Sequence, residues 1–239
     1  MMKGSVRLDK FLADAGIGTR SEVKIFINKG RVLVDGVIIK DSSFKINIDK
    51  SEVRVDNKLI EYSRFDYFML NKPAGVVSAT IDNFSETVID LIKEGNKKDI
   101  FPVGRLDKDT EGLLLLTNDG ELAHNLLSPK KHVGKVYYAK VKGFITENEI
   151  KKFEEGLQLE EDFITLPAKL KILEPGEISC VEITIYEGKF HQVKRMFEAV
   201  GTEVIYLKRL SMGELTLDST LAPGEYRRLT EQELSEIRR

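Results

Sequence analysis

The 239-residue chain has no tryptophan, one cysteine and three histidines. The lone Cys180 cannot close an internal disulfide, which fits a reducing compartment, and a cytoplasmic location is expected. One cysteine with the scattered His124, His132 and His191 leaves too few ligands for structural zinc. The densest aliphatic run, Leu113–Leu116, is far short of the ~20 residues that span a bilayer, so no membrane partner is expected. No apolar stretch follows Met1-Met2-Lys3-Gly4-Ser5-Val6-Arg7, and a secretory signal is not expected. Also missing are the phosphate loop Gly-x-x-x-x-Gly-Lys-[Ser/Thr], Gly-x-Gly-x-x-Gly, Cys-x-x-Cys and Gly-x-Ser-x-Gly. Chemistry driven by ATP, a dinucleotide or a serine nucleophile is thereby disfavoured, and neither a metal nor a nucleotide cofactor is expected.

What is present suits a folded chain: 41% apolar residues supply a core beside 32% charged ones. The length allows one large domain or two unequal ones. Charge divides unevenly. Residues 1–60 hold 12 Lys and Arg against 8 Asp and Glu, and the remainder 25 against 31. A basic front end on an acidic body suits delegated polyanion binding, although chance composition would look the same. Val6, Leu8, Phe11, Leu12 and Ala15 recur at helical spacing, ended by Gly16-Ile17-Gly18. Thr19-Arg20-Ser21-Glu22 is a capping box opening a second helix to about Lys29. Asp35-Gly36 between Arg31–Val34 and Val37–Ile39 predicts a hairpin, and Glu52–Val55 a further strand.

Arg7 and Lys10, and Arg20 and Lys24, are spaced to share helix faces, with Arg31 at the hairpin. These cations suit a grip on phosphates or an ordinary solvated surface. The segments Arg7–Leu12, Thr19–Glu22 and Gly30–Gly36 together resemble an S4 domain, which implies structured RNA as the partner of residues 1–60.

Residues 61–239 form the second expected domain, entered through a short linker, Glu61–Asp66. Strands are predicted at Tyr67–Leu70, Val76–Ser78, Leu113–Thr117, Lys135–Val141, Cys180–Tyr186 and Val204–Leu207. Helices are predicted at Glu86–Ile92, Glu147–Gly156 and His191–Val200, with a C-terminal helix capped by Thr230–Glu233. Strands outnumber helices without strict alternation, so the fold class is α+β with a mixed, largely antiparallel sheet. Cys180 has no activating neighbour and reads as packing.

Two segments concentrate charge. Gly104–Gly112 brackets three carboxylates and two bases before an apolar strand, with Leu106 placed to anchor it inward. That suits a solvated turn or an active-site loop. Gly188–Arg195 follows a strand and opens a helix, which suits a phosphate or a buried carboxylate. Lys208 and Arg209 suit RNA-backbone contacts or surface decoration.

The run Gly104–Gly120, with Leu70–Gly75, Lys135–Tyr137 and Glu187–Phe197, resembles the signature of the RsuA/RluB/RluE/RluF group of pseudouridine synthases. The cues Tyr67–Pro73, His191–Phe197 and Leu221–Arg227 are most similar to the small-subunit branch. The resemblance implies an isomerase that needs no cofactor and turns one uridine of 16S rRNA, uridine 516, into pseudouridine. Its relatives imply 23S rRNA as the alternative substrate, and a non-catalytic ribosome-assembly factor is a further one. By resemblance Asp107 is the catalytic carboxylate and Tyr137 stacks on the target base. Lys194 pairs with Asp107, and Arg105 holds the flipped nucleotide. Small-subunit rRNA, free or in an assembling particle, is the expected partner of a monomer.

Overall fold

The computed structural model describes residues 5–48, 50–60, 65–94 and 99–238. The chain separates into two compact units, residues 1–65 with 94–98 and residues 66–93 with 99–239. Of the expected linker, residues 61–64 lie outside the described residues. Among the described residues no helix is long and apolar enough to cross a membrane.

In the first unit β1 (Ser5–Arg7) leads directly into α1 (Leu8–Asp14), followed by α2 (Arg20–Asn28), β2 (Val32–Val34) and β3 (Val37–Ile38). Then come β4 (Lys45–Asn47), β5 (Val53–Val55) and β6 (Lys58–Leu59). A four-stranded antiparallel sheet runs β3-β2-β5-β6, and β1 pairs with β4. Helix α1 is shorter than the apolar spacing predicts. Val6 is extended and pairs with Ile46, and Ala15 caps the helix end. The Thr19–Glu22 capping box forms in both directions, as predicted. So does the hairpin, because Asp35 and Gly36 both take the positive φ that its tight turn demands. Leu8, Leu12, Val23, Ile27, Val32 and Val53 close the core between the helices and the sheet.

The second unit runs β7 (Tyr67–Lys72), β8 (Phe101–Pro102), β9 (Glu111–Thr117), α3 (Gly120–Leu127), β10 (Lys135–Lys142), α4 (Glu147–Glu155), β11 (Gln158–Glu160) and β12 (Phe163–Ile164). It continues with β13 (Lys169–Glu174), β14 (Ile178–Ile185), α5 (Gln192–Ala199), β15 (Val204–Met212), β16 (Leu215–Thr216), β17 (Tyr226–Arg228) and α6 (Glu231–Ile237). A nine-stranded sheet follows the order β13-β14-β10-β15-β9-β7-β17, with β16 beside β15 and β8 beside β9. It is mixed: β15 and β9 are parallel, and the other pairings are antiparallel. The α+β expectation therefore holds. Alternation on β10 and β14 puts Tyr137, Ala139, Val181 and Ile183 into one apolar core with Phe153, Met196 and Phe197.

Glu86–Ile92 is not a helix. Val88 and Ile92 are buried as the spacing predicts, but Thr87 and Asp90 bond each other's backbone and side chains, and the segment makes tight turns. Strand β15 outruns its predicted end by five residues. Helix α3, capped by Asp119 on the Leu122 N–H at 3.0 Å, has no counterpart among the predicted elements.

Candidate active site

The segment before β9 is fastened from within. Leu106 is buried in the core. Its N–H and carbonyl both engage the Ser78 hydroxyl, at 3.1 and 2.9 Å. Gly75 N–H donates to the Lys108 carbonyl at 2.7 Å, and Thr110 N–H to that of Asp107 at 3.1 Å. Below them the fully buried Lys72, the last residue of β7, donates from Nζ to the carbonyls of Pro73, Asp107, Lys108 and Thr110, at 2.9–3.3 Å. Burial pulls the Lys72 ammonium down to about 8 against the opposing pull of Asp109, Asp107 and Glu111. Lys72 belongs to the family-like Leu70–Gly75 run but was given no role from sequence. A lysine just past the apolar run Tyr67–Leu70 and directly before Pro73 is the signal in the sequence that could have flagged it.

A second fastening shapes the approach to α5. Gln192 accepts from Lys189 N–H at 2.9 Å and donates to Glu187 at 2.8 Å, and Glu187 accepts from Leu166 N–H at 2.8 Å. His191 then takes a left-handed φ of 49° and α5 begins.

These two segments face each other across an open cleft of about 430 Å³. Asp107, Tyr137, Lys194 and Arg105, up to 89 residues apart in sequence, all line it. Tyr137 is nearly buried and Arg105 exposed. Lys194 Nζ stands 3.3 Å from Asp107 Oδ2 but hydrogen-bonds both oxygens of Asp109, at 2.7 and 2.8 Å. The expected pair is thus a bridge between two carboxylates. Burial alone would lower the Lys194 ammonium, yet the Asp109 bond and the Asp107 charge leave it raised. The same bond holds Asp109 below the usual carboxylate range. His191 Nε2 lies 3.5 Å from Asp107 Oδ1, with the exposed Phe190 ring stacked on its imidazole. Arg209 is neither decoration nor an RNA contact: it is 2% exposed, and its Nε donates to the Leu113 carbonyl at 2.7 Å.

In the first unit Lys10, Arg20 and Lys24 are exposed. Arg7 lies before α1 rather than on it and grips Asp9 at 2.7 and 3.0 Å. Arg31 pairs with Asp56 and covers the Phe26 ring at 4.4 Å.

Residues 66–199 match the family model of RNA pseudouridylate synthases, and residues 6–53 that of the S4 domain. An uncharacterised RNA pseudouridine synthase of Bacillus subtilis is 52% identical, with 96% of this chain and 97% of the relative aligned. Ribosomal small subunit pseudouridine synthase A of Vibrio cholerae is 43% identical (97% and 99% aligned), and that of Escherichia coli 41% (97% and 100%). A crystal structure of a pseudouridylate synthase superposes with a TM-score of 0.69 at 38% identity, covering 97% of this chain and 99% of that one. With an S4 domain ahead of a synthase sheet, the chain belongs to the RsuA/RluB/RluE/RluF family of pseudouridine synthases, isomerases that act on RNA.

Proposed function

We propose that the protein converts one uridine of small-subunit rRNA, at the position numbered 516, into pseudouridine. The observation that carries the reading is Asp107, a partly exposed carboxylate with the Lys194 ammonium at 3.3 Å, in a cleft whose wall is the Tyr137 ring. The relatives of Vibrio cholerae and Escherichia coli named for the small subunit support the choice of rRNA.

The reaction breaks N1–C1′, turns the base over and forms C5–C1′. A proton leaves C5 and N1 ends protonated, so nothing is oxidised or reduced. Asp107 acts at the sugar, either attacking C1′ or removing the C2′ proton to give a glycal; carboxylates do both kinds of work. Tyr137 stacks on the uracil, Lys194 balances the Asp107 charge, and Arg105 at the exposed side holds the nucleotide, which must leave its stack to enter. Residues 1–60 bind RNA, chiefly through the exposed Lys10, Arg20 and Lys24 and less through Arg7 and Arg31, which pair with Asp9 and Asp56, and residues 61–239 carry the chemistry. The protein works in the cytoplasm as a monomer, without a cofactor.

Carbodiimide–primer-extension mapping of both rRNAs, with and without the protein, tests the reading. A new stop at uridine 516 of 16S rRNA is expected. A stop only in 23S rRNA would move the activity to the large subunit, and no stop in either would leave an RNA-binding factor.

A further inference from the structure

Among the described residues three buried side-chain atoms lack a hydrogen-bond partner: Asn71 Oδ1, Arg209 Nη2 and Thr110 Oγ1. Only Thr110 lines the cleft. It is 2% exposed, and its main chain is committed on both sides, the N–H to the Asp107 carbonyl and the carbonyl to Lys72. The backbone that carries the hydroxyl is therefore fixed within the fastening of the Asp107 segment. A buried hydroxyl with no partner opposes folding, and a valine of nearly the same shape would relieve that cost. Its presence on the wall of a cleft needs an acceptor or donor that arrives with a ligand.

The lining sorts by depth. Asp107, His191, Lys194 and Arg105 are all partly or largely exposed. Tyr137, Ile185, Leu207 and Val193 are buried, and the amide of Gln192 is already engaged. A ribose with its phosphates suits the charged, exposed side, and a flat base the apolar depth. The group that reaches Thr110 is then the base.

Resting on the reading of this cleft as the isomerase site, we infer that the Thr110 hydroxyl donates a hydrogen bond to the uracil carbonyl farthest from C1′. In uridine that carbonyl is C4=O, which lies across the ring from N1. When the base turns about its N3–C6 axis, C2=O and C4=O exchange places, and C2=O then lies across the ring from C5. One fixed donor thus serves substrate and product alike, and it is left without a partner only while the base turns.

The test compares Thr110→Val and Thr110→Ser with wild type in single-turnover pseudouridylation of rRNA transcripts, alongside thermal melts and RNA affinity. Thr110→Val is expected to melt at or above the wild-type temperature and to bind RNA within about twofold. Its rate is expected to fall on the order of 10- to 100-fold, the loss of one aimed donor. Thr110→Ser should keep most of the rate. With 4-thiouridine at the target, whose sulfur is a weaker acceptor, wild type should slow markedly and Thr110→Val hardly further. A Thr110→Val rate within about threefold of wild type would overturn the inference. So would a drop in melting temperature in Thr110→Val that Thr110→Ser does not share, because the hydroxyl would then be bracing the loop. Wild-type protein that leaves both rRNAs unmodified would instead overturn the isomerase reading of the cleft, and this inference with it.

Discussion

The Lys194 ammonium makes its shortest contacts with Asp109, yet the longer one is the contact that a bound nucleotide would strengthen. The Asp109 side chain is 71% exposed, and water screens its pair with Lys194. Asp107 is 27% exposed and stands where an approaching nucleotide would displace water, so its attraction to Lys194 grows on binding. Asp109→Asn is therefore expected to slow single-turnover isomerisation less than about threefold, whereas Lys194→Met slows it tenfold or more and Lys194→Arg falls between. Equal rates for all three variants would remove Lys194 from the mechanism. Asp107→Asn keeps the shape and loses the attacking or abstracting oxygen. It should abolish pseudouridine formation by removing most of the ~8 kcal/mol or more of barrier lowering that enzymes supply, while RNA affinity persists. Turnover near wild type would sink the assignment. Lys72 carries a prediction of a different kind. Its folded-state value of about 8 lies below the 10.5 of an ordinary lysine. Between those two pH values the unfolded chain holds more protons, so this group's contribution to stability rises with pH, by up to ~1.4 kcal/mol per unit. Below pH 8 both states are charged and the contribution is flat. Urea melts at pH 7.5 and 9.5 should thus show the gap between wild type and Lys72→Met widening at the higher pH. A gap that stays constant would mean that Lys72 titrates normally.

Between elements, the parallel seam of β9 and β15 is set by Gly112. Its φ is +101°, and a Cβ there would lie 2.2 Å from the Arg209 carbonyl oxygen and 2.8 Å from its nitrogen. No side chain can be fitted without parting the strands, and the seam begins at Glu111, next to Thr110. Gly112→Ala is expected to cost about 1–3 kcal/mol, read by urea unfolding, and to lower activity by displacing the Asp107 segment. An unfolding midpoint like that of wild type would show that the seam yields freely. The elements legible in the sequence are those whose signal is complete within a few residues. The Thr19–Glu22 and Thr230–Glu233 boxes close on themselves, and Asp35-Gly36 supplies its own turn. Glu86–Ile92 misled because apolar spacing reports burial, while Thr87 and Asp90 decide the hydrogen bonds. The far half of β15 was hidden because Arg209 looks like a surface residue until the Leu113 carbonyl, 96 positions away, is found against it. The site divides likewise. Family resemblance singled out Asp107, Tyr137, Lys194 and Arg105, which the fold gathers into one cleft. Spacing alone left the Asp107 loop no better than a solvated turn. Lys72 and Thr110 sit inside the matching segments, yet their roles do not show in the sequence, because their side-chain partners are backbone carbonyls in one case and, among the described residues, no protein group in the other.

For the molecule as a whole, internal ion pairs leave the charge asymmetry of the sequence unchanged, since each removes one charge of either sign, but they decide which cations stay exposed. Arg7 is spent on Asp9, a nearly buried carboxylate that the guanidinium holds below the usual range, and Arg31 is spent on Asp56. Lys10, Arg20 and Lys24 stay exposed on α1 and α2, with no ion pair formed among the described residues. Two functions that the sequence joined in one basic face are therefore separable. Arg7→Ala should lower the stability of the first unit by leaving Asp9 without its partner, and it should change RNA binding mainly through that loss. Changing Lys10, Arg20 and Lys24 together to Ala touches no internal partner and should leave the melting temperature near wild type. If the three side chains meet phosphates, each releases about 0.7–0.9 of a counterion, and the log–log salt slope of RNA affinity flattens by that amount per contact, up to about 2–3 for all three. The rate of isomerisation at saturating RNA should hold, because none of the three lines the cleft. Affinities measured across a tenfold range of salt decide the matter: a triple variant with the wild-type slope would make this face ordinary solvated surface and move the RNA contacts of the first unit elsewhere.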